Sequence, residues 1–183
     1  DTGIIASFWE FPAFVMLGVL SGVLAIVFMR SIGFANRVAR TIPIPRWSRP
    51  ALGGLILGAI ALQFPEVLGV GYAAMESALL MEFTLWVLIG ICAAKVAATA
   101  ICVGFGFGGG VFSPALVIGA MLGASYGVVA TGAFPDYASS ISVYSIVGMG
   151  AVAASVLGAP ISTTLIIFEM TSNYALTLAV MVA

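Results

Sequence analysis

The sequence predicts an all-α integral membrane protein whose helices are tilted, unequal in length and partly re-entrant. Three observations support this prediction. Of the 183 residues, 62% are hydrophobic and only 7% are charged, so the chain cannot cover a water-facing surface and needs lipid as its solvent. Several uncharged runs are long enough to cross a bilayer as helices. Glycine and proline interrupt other runs, which predicts helices that stop inside the membrane.

The first part of the chain contains two apolar segments around a basic stretch. Residues 11–29 carry no charge and predict one membrane-spanning helix. Residues 30–49 contain five of the six basic side chains and two prolines, which predicts a solvated loop. Because basic residues concentrate on the cytoplasmic side of membrane proteins, we expect this loop to be cytoplasmic. Residues 50–65 predict a second span, beginning near Trp47 or Ser48.

An acidic stretch follows and predicts the opposite side of the membrane. Its carboxylates are Glu66, Glu76 and Glu82. Gly69 and Gly71 lie between them and predict a helix break. Residues 83–103 predict a third long span, interrupted only by Lys95.

The second part of the chain is more fragmented. Residues 104–110 read GFGFGGG, which predicts a break inside an uncharged run. A helix is predicted over 112–130, followed by a turn at Gly132, Pro135 and Asp136. Two apolar pieces meet at 158–160, and a last one follows Asn173. Transporters and channels build substrate sites from such half-helices.

Glycines also recur at four-residue spacing, a pattern that lets helix backbones approach closely. They form three groups: Gly18 and Gly22; Gly54 and Gly58; and Gly119, Gly123 and Gly127. We therefore expect tight helix packing at these positions.

Composition excludes several functions. The chain has no His, which removes Ser-His and Cys-His catalysis and His-ligated zinc, and it predicts neither an enzyme nor a resident cofactor or metal. A net charge of −1 offers no extended basic field for nucleic acid. Cys92 and Cys102 both lie in apolar runs, which predicts buried thiols.

Two formal motif matches are better explained by helix structure. Residues 104–109 match G-x-G-x-x-G, but no strand precedes them as a dinucleotide-binding unit requires. Residues 123–127 match G-x-S-x-G, but a hydrolase nucleophile needs a base and the chain has no His.

The stretch 108–114, GGGVFSP, predicts an anion site. Its glycines let backbone approach an ion, and a helix is predicted to begin near Phe112. The first N–H groups of a helix have no intrahelical partner, and its N-terminus is the positive end of the dipole. Pro114 fits an early helical position. A site made of backbone amides without Lys or Arg binds anions weakly enough to release them, whereas the alternative is a simple helix-breaking turn.

Three motifs in order resemble the CLC family of chloride channels and chloride/proton antiporters. Residues 108–123, GGGVFSPALVIGAMLG, resemble its G-x-F-x-P region. Residues 148–151 and the pair Ala159-Pro160 follow, and then residues 169–174, EMTSNY, resemble its closing segments. The resemblance covers essentially the whole chain, with weaker signatures upstream.

The resemblance implies a pore built from half-helix N-termini and a fold of inverted-topology repeats. Residues 1–183 would form a single transmembrane fragment that is similar to the second repeat, cut from a longer multi-pass protein of the plasma or inner membrane. The motif positions carried over as anion-binding are Gly110, Val111, Phe112, Ser113 and Pro114, with the amides of Val111 and Phe112 facing chloride. The gating glutamate of the family belongs to a first half that is not found here. Tyr174 matches the N-Y motif and receives no anion role.

The resemblance further implies a homodimer, and we expect the segments after Pro160 near its interface. Ile161, Leu165 and Leu176 are predicted to be exposed apolar residues there.

Two ionisable residues remain inside apolar segments. Lys95 and Glu169 are each costly in lipid, and we predict a structural ion pair across two helices. Two rival functions stay open: an unrelated secondary transporter with broken helices, and a membrane-embedded hydrolase. Channel and proton-coupled antiporter are not distinguished, nor is chloride from fluoride.

Overall fold

The computed structural model describes residues 11–65, 71–80, 84–107, 109–134 and 141–183. Within these ranges the chain forms eight α-helices and no strand, as predicted. The helices are α1 (Phe11–Thr41), α2 (Arg49–Gln63), α3 (Tyr72–Leu79), α4 (Leu85–Gly104), α5 (Phe112–Ala133), α6 (Ile141–Leu157), α7 (Pro160–Thr171) and α8 (Tyr174–Val182). A short 3₁₀ turn, Arg46–Ser48, precedes α2.

The helices differ in length as the sequence predicts. Three are long and apolar enough to cross a membrane: Pro12–Thr41, Leu85–Gly104 and Phe112–Ala133. In contrast, α7 has 12 residues and α8 has 9, both too short to cross alone. The predicted interruptions at 104–110 and 158–160 are confirmed, because α4 ends at Gly104, α5 begins at Phe112 and α7 begins at Pro160.

Two local predictions are wrong. Residues 30–49 do not form one loop, because α1 continues to Thr41 and carries Arg30, Arg37 and Arg40 on a helix. No proline falls before position 43 in this stretch, so nothing in the sequence ends the helix earlier. Gly132 lies inside α5 rather than in a turn, and Pro135 and Asp136 lie outside the described residues.

Other boundaries match the prediction. Ser48 is the N-cap of α2. Gly71 adopts a left-handed φ of 86° as the N-cap of α3, whereas Gly69 lies outside the described residues, as do Glu66 and Glu82. Asn173 caps α8 by accepting a hydrogen bond from the Leu176 amide.

Close packing of α5 on α6 forms the centre of the core. A Cβ at Gly119 would lie 2.5 Å from the Gly148 carbonyl oxygen, and a Cβ at Gly148 would lie 2.5 Å from that of Gly119. A Cβ at Gly123 would meet the backbone of Tyr144. The Ser145 hydroxyl also donates to the Ala120 carbonyl across this interface, at 2.9 Å. The prediction of close approach at the glycines of α5 is confirmed.

The other spaced glycines are only partly explained by packing. A Cβ at Gly18 would meet the backbone of Ala183, and one at Gly54 would lie 3.7 Å from the Phe107 ring. A Cβ at Gly22 or Gly58 would meet nothing within 4 Å among the described residues.

The long helix α1 packs along the outside of this core. A Cβ at Gly104 would lie 2.6 Å from the Cβ of Ala35, so α1 touches the end of α4. At the other end of α1, the Tyr126 hydroxyl donates to the Ala13 carbonyl at 2.9 Å. These contacts fix α4 and α5 on either side of the glycine-rich connection.

Candidate anion site

The candidate site lies where α5 begins, at the end of the glycine-rich connection. Val111 is the N-cap, and no side chain caps the helix. The first intrahelical bond runs from the Ala115 amide to the Val111 carbonyl, at 3.0 Å. The predicted helix start near Phe112 is therefore confirmed.

The N-cap amide and the first helical amide of α5 are open to a ligand. The amides of Val111 and Phe112 donate to no backbone carbonyl in the described part of the chain. Pro114 occupies the third helical position and has no N–H to satisfy. The positive end of the helix dipole adds to the field of these amides.

The glycines before the helix are not required by packing within the described residues. A Cβ at Gly109 or Gly110 would meet no described atom within 4 Å, and both residues are exposed. Gly108 lies outside the described residues. Open backbone of this kind allows close approach of a ligand to the α5 N-terminus.

The end of α4 holds the connection in place. The Phe105 amide donates to the Ile101 carbonyl and the Phe107 amide to the Cys102 carbonyl, both at 2.9 Å. Gly106 has a φ of 95°, a left-handed conformation that favours glycine. Backbone hydrogen bonds therefore anchor the α4 side of the connection, whereas the Val111 and Phe112 amides on the α5 side donate to no backbone carbonyl among the described residues.

Helix α2 supports the connection from behind, a role that the sequence reasoning missed. A Cβ at Gly53 would lie 2.8 Å from the Cβ of Phe105 and 3.3 Å from the Phe107 ring. Only glycine lets α2 sit this close to Phe105. The adjacent glycines 53 and 54 were the available signal, since a glycine pair inside an apolar helix suggests a close backbone contact.

The body of α5 is buried while its first turn is half-buried. Residues 115–121 are all buried, so the helix dipole lies in an environment of low dielectric constant. Phe112 packs partly against the main core cluster. Ser113 and Pro114 are half-buried next to it.

The helix and connection that form the candidate site carry no Asp, Glu, Lys or Arg between residues 96 and 135. Among the described residues, no group of three His, Cys, Asp or Glu could hold a metal ion. The arrangement can bind a small anion through backbone N–H groups alone.

The structure places the two intramembrane charges in different environments. Lys95 is buried, with 4% of its surface exposed, in the middle of α4. Glu169 is exposed on α7. Helices α4 and α7 are not among the extensively packed helix pairs of the described chain. Their ion pair stays a prediction.

Comparison with known proteins identifies a family. A family model described as voltage gated chloride channel matches residues 2–183. The chain is 35% identical to the chloride channel protein CLC-f of Arabidopsis thaliana, over 94% of this chain and 24% of that protein. It is 38% identical to a putative chloride channel protein ClcB-like of Ralstonia nicotianae, over 96% of this chain and 41% of that protein.

A third relative and a solved structure agree with this assignment. The H(+)/Cl(−) exchange transporter ClcA of Yersinia pestis is 31% identical over 92% of this chain and 36% of its own length. The crystal structure of a slow cyanobacterial Cl⁻/H⁺ antiporter superposes with a TM-score of 0.81 at 28% identity, over 96% of this chain and 42% of that one. The chain thus spans about a quarter to two fifths of the relatives it matches.

Proposed function

The chain belongs to the voltage-gated chloride channel family, and from this membership we propose that it forms half of a pathway for chloride across a membrane. The membership makes it an integral membrane protein and a transport protein rather than an enzyme. It decides against the unrelated carrier and the membrane-embedded hydrolase, which composition alone left open.

One observation carries the assignment of the site. The α5 N-terminus presents the Val111 and Phe112 amides, without a side-chain cap, beside open glycine backbone and far in sequence from any Asp, Glu, Lys or Arg. Chloride needs only such donors, and a neutral site holds it without trapping it. Gly110, Ser113 and Pro114 complete the site by leaving room and by shaping the first turn.

The chain supplies only part of the pathway. Partial coverage of the relatives and the motifs at 108–114 and 169–174 support the proposal that residues 1–183 form the second of two inverted repeats, with the first repeat supplying the rest of the anion site. Channel and proton-coupled exchanger remain alternatives, because the relatives carry both names.

Bromide anomalous scattering on the whole protein tests the site. A bromide peak should lie next to the amides of Val111 and Phe112, in a protein that passes halide in a liposome flux assay. A well-ordered bromide elsewhere, with these amides bonded to protein carbonyls, contradicts the assignment. Absence of halide flux in a folded protein contradicts chloride transport itself.

The same proposal includes the orientation of α1. The positive-inside rule places the arginine-bearing end of α1 and the segment up to Arg49 on the cytoplasmic side of a plasma or inner membrane. A cysteine at position 40 should react with an impermeant reagent from the cytoplasmic side. Labelling only from the outside reverses the orientation.

A homodimer is also part of the proposal, with α7 and α8 near the interface. Ile161 and Leu165 are 77% and 58% exposed in this chain, as predicted for an apolar interface. Leu176 is 1% exposed, so its predicted exposure is wrong: it lies in the core, on the inner face of α8. Tyr174 and Leu178 are exposed on the same helix instead. Cross-linking in mild detergent should trap dimers, and monomers alone contradict them.

A further inference from the structure

The end of α1 forms a basic and aromatic ridge on a rigid helix. Helix α1 has 31 residues, about 46 Å, whereas a hydrocarbon core is about 30 Å thick. If residues 11–29 cross the core, the helix from Arg30 to Thr41 reaches the headgroup layer without breaking. A rigid helix, rather than a flexible loop, therefore holds these charged side chains at the level of the lipid headgroups.

Three exposed residues share one face of this extension. Arg30, Phe34 and Arg37 are spaced four and three apart, so they lie on one helix face. Phe34 is 68% exposed between the two arginines. The opposite face is buried, with Ala35 and Ala39 packed inward. An aromatic ring between two guanidinium groups suits a membrane interface.

The sequence around this face contains no acidic side chain. Residues 11–65 contain five arginines and neither Asp nor Glu. Basic clusters beside a membrane span attract anionic headgroups, and guanidinium groups bind phosphate through paired donors.

A cavity of about 410 Å³ is lined by α1, α4 and α5, and its α1 residues run from Leu24 to Ser31, next to Arg30. Its walls include Leu24 and Val27 of α1, Val96 of α4 and Leu122 of α5. Phe34 follows Val27 by seven residues, two helical turns, so the ridge continues the cavity wall toward the headgroups. The cavity is large enough to hold a sizeable apolar group.

The side-chain hydrogens of the polar residues that line the cavity already have acceptors. The Ser31 hydroxyl donates to the Val27 carbonyl and the Ser125 hydroxyl to the Met121 carbonyl, both at 2.7 Å. The Cys92 thiol donates to the Ile118 carbonyl at 3.8 Å. These side chains have no hydrogen left to donate to a polar ligand, whereas a hydrocarbon chain needs no donor.

We propose that α1 binds one anionic phospholipid, with its phosphate on Arg30 and Arg37 and an acyl chain in the cavity between α1, α4 and α5. The site is separate from the α5 N-terminus. The site offers the lipid both a partner for the phosphate charge and an apolar pocket for an acyl chain. An isolated arginine on a protein surface offers only the first.

Thermal unfolding of the whole protein with added lipid tests the charge contribution. Phosphatidylglycerol should raise the melting temperature more than phosphatidylcholine. The double variant Arg30→Gln with Arg37→Gln should weaken the phosphatidylglycerol effect, about fivefold in apparent affinity for each arginine. The control is the double variant Arg40→Gln with Arg46→Gln, which loses the same charge. Arg40 lies on the opposite side of the helix from Ser31, which lines the cavity. Equal weakening in both doubles overturns the site in favour of a diffuse charge effect.

A cavity-filling variant tests the acyl chain. Ala97 lines the cavity and is exposed, so Ala97→Phe should fill it and reduce the phosphatidylglycerol effect. Ala73→Phe, on the exposed surface of α3, is the control. Soluble glycerol phosphate should not stabilise the protein, because it has no chain. The proposal is overturned if the phosphatidylglycerol effect survives Ala97→Phe, which would happen if another part of the protein fills the cavity. It is also overturned if glycerol phosphate stabilises the protein.

Discussion

Two helix interruptions in this chain have the same sequence ingredients and different outcomes. Between α4 and α5, glycines are followed by a proline at the third helical position. Between α6 and α7, Gly158 and Ala159 are followed by Pro160 at the first helical position. The first connection is seven residues long and exposes glycine backbone, whereas the second is a two-residue turn.

At the second interruption, local hydrogen bonds join the turn to the helices on both sides of it. The Gly158 amide donates to the Ala154 carbonyl at 2.9 Å, and the Thr163 hydroxyl donates to the Ala159 carbonyl at 2.9 Å. Gly158 has a φ of 64°, the left-handed conformation that ends many helices. Its glycine is therefore needed for backbone conformation.

At the first interruption, the described backbone hydrogen bonds join the connection to α4, whereas the amides of Val111 and Phe112 have no backbone acceptor among the described residues. Gly110 is not in the left-handed region, and a Cβ there meets nothing within 4 Å among the described residues. Within the described residues, neither strain nor packing explains a glycine at 110, whereas the proposed access of an anion to the α5 amides would. The position of the proline adds to this difference, because Pro160 removes the very first amide of α7 while Pro114 leaves those of Val111 and Phe112.

The largest expected effect is that of Gly110→Val on halide binding. The side chain would stand where an ion approaches the Val111 and Phe112 amides. Losing a charge-assisted hydrogen bond costs about 1.5–3 kcal/mol, so bromide affinity should fall about ten- to a hundredfold. Isothermal titration and liposome flux of the whole protein measure this.

The matched control is Gly132→Val, near the other end of α5. A Cβ there also meets nothing within 4 Å in the described structure, and the residue lies far from the amides. Equal loss of halide binding in both variants would remove the argument for access at position 110.

A smaller effect is expected for Phe112→Ala. Phe112 is half-buried at the first helical position, where its ring can narrow the pathway without donating a hydrogen bond. Its removal should change conductance or halide selectivity by a few-fold while the amides remain. Phe134→Ala is the comparison, since Phe134 is 65% exposed at the far end of α5. A larger change from Phe134→Ala contradicts the placement of the pathway.

Much of the fold could be predicted because a lipid environment allows a chain to form only a few kinds of structure. Apolar runs predicted the long helices α1 and α4, whereas the span predicted at 50–65 is a helix of only 15 residues. Gly and Pro predicted the interruptions at 104–110 and 158–160. The end of α1 was mispredicted because arginines were treated as a sign of a loop. Arginine is a good helix former, and the charge of Arg37 or Arg40 concerns solvation rather than backbone conformation.

Prediction was weaker for features that depend on contacts between distant segments. The start of α5 follows from local sequence, since Val111 and Pro114 define it. The support by Gly53 against Phe105 joins residues more than 50 positions apart, and a single sequence gives little sign of it. The burial of Leu176 was missed for the same reason, because α8 is apolar on all sides and its inner face is chosen by its neighbours.

The smallest expected effect is that of Gly158→Ala, and it should appear in stability rather than transport. Alanine in the left-handed conformation costs about 1 kcal/mol, since its Cβ approaches the backbone. No steric clash adds to this, because a Cβ at 158 meets no described atom within 4 Å. The melting temperature should drop by a few degrees, while halide flux per folded protein stays unchanged. A loss of flux without a loss of stability would mean that the α6–α7 turn also contacts the transported ion, and the contrast between the two interruptions would then fail.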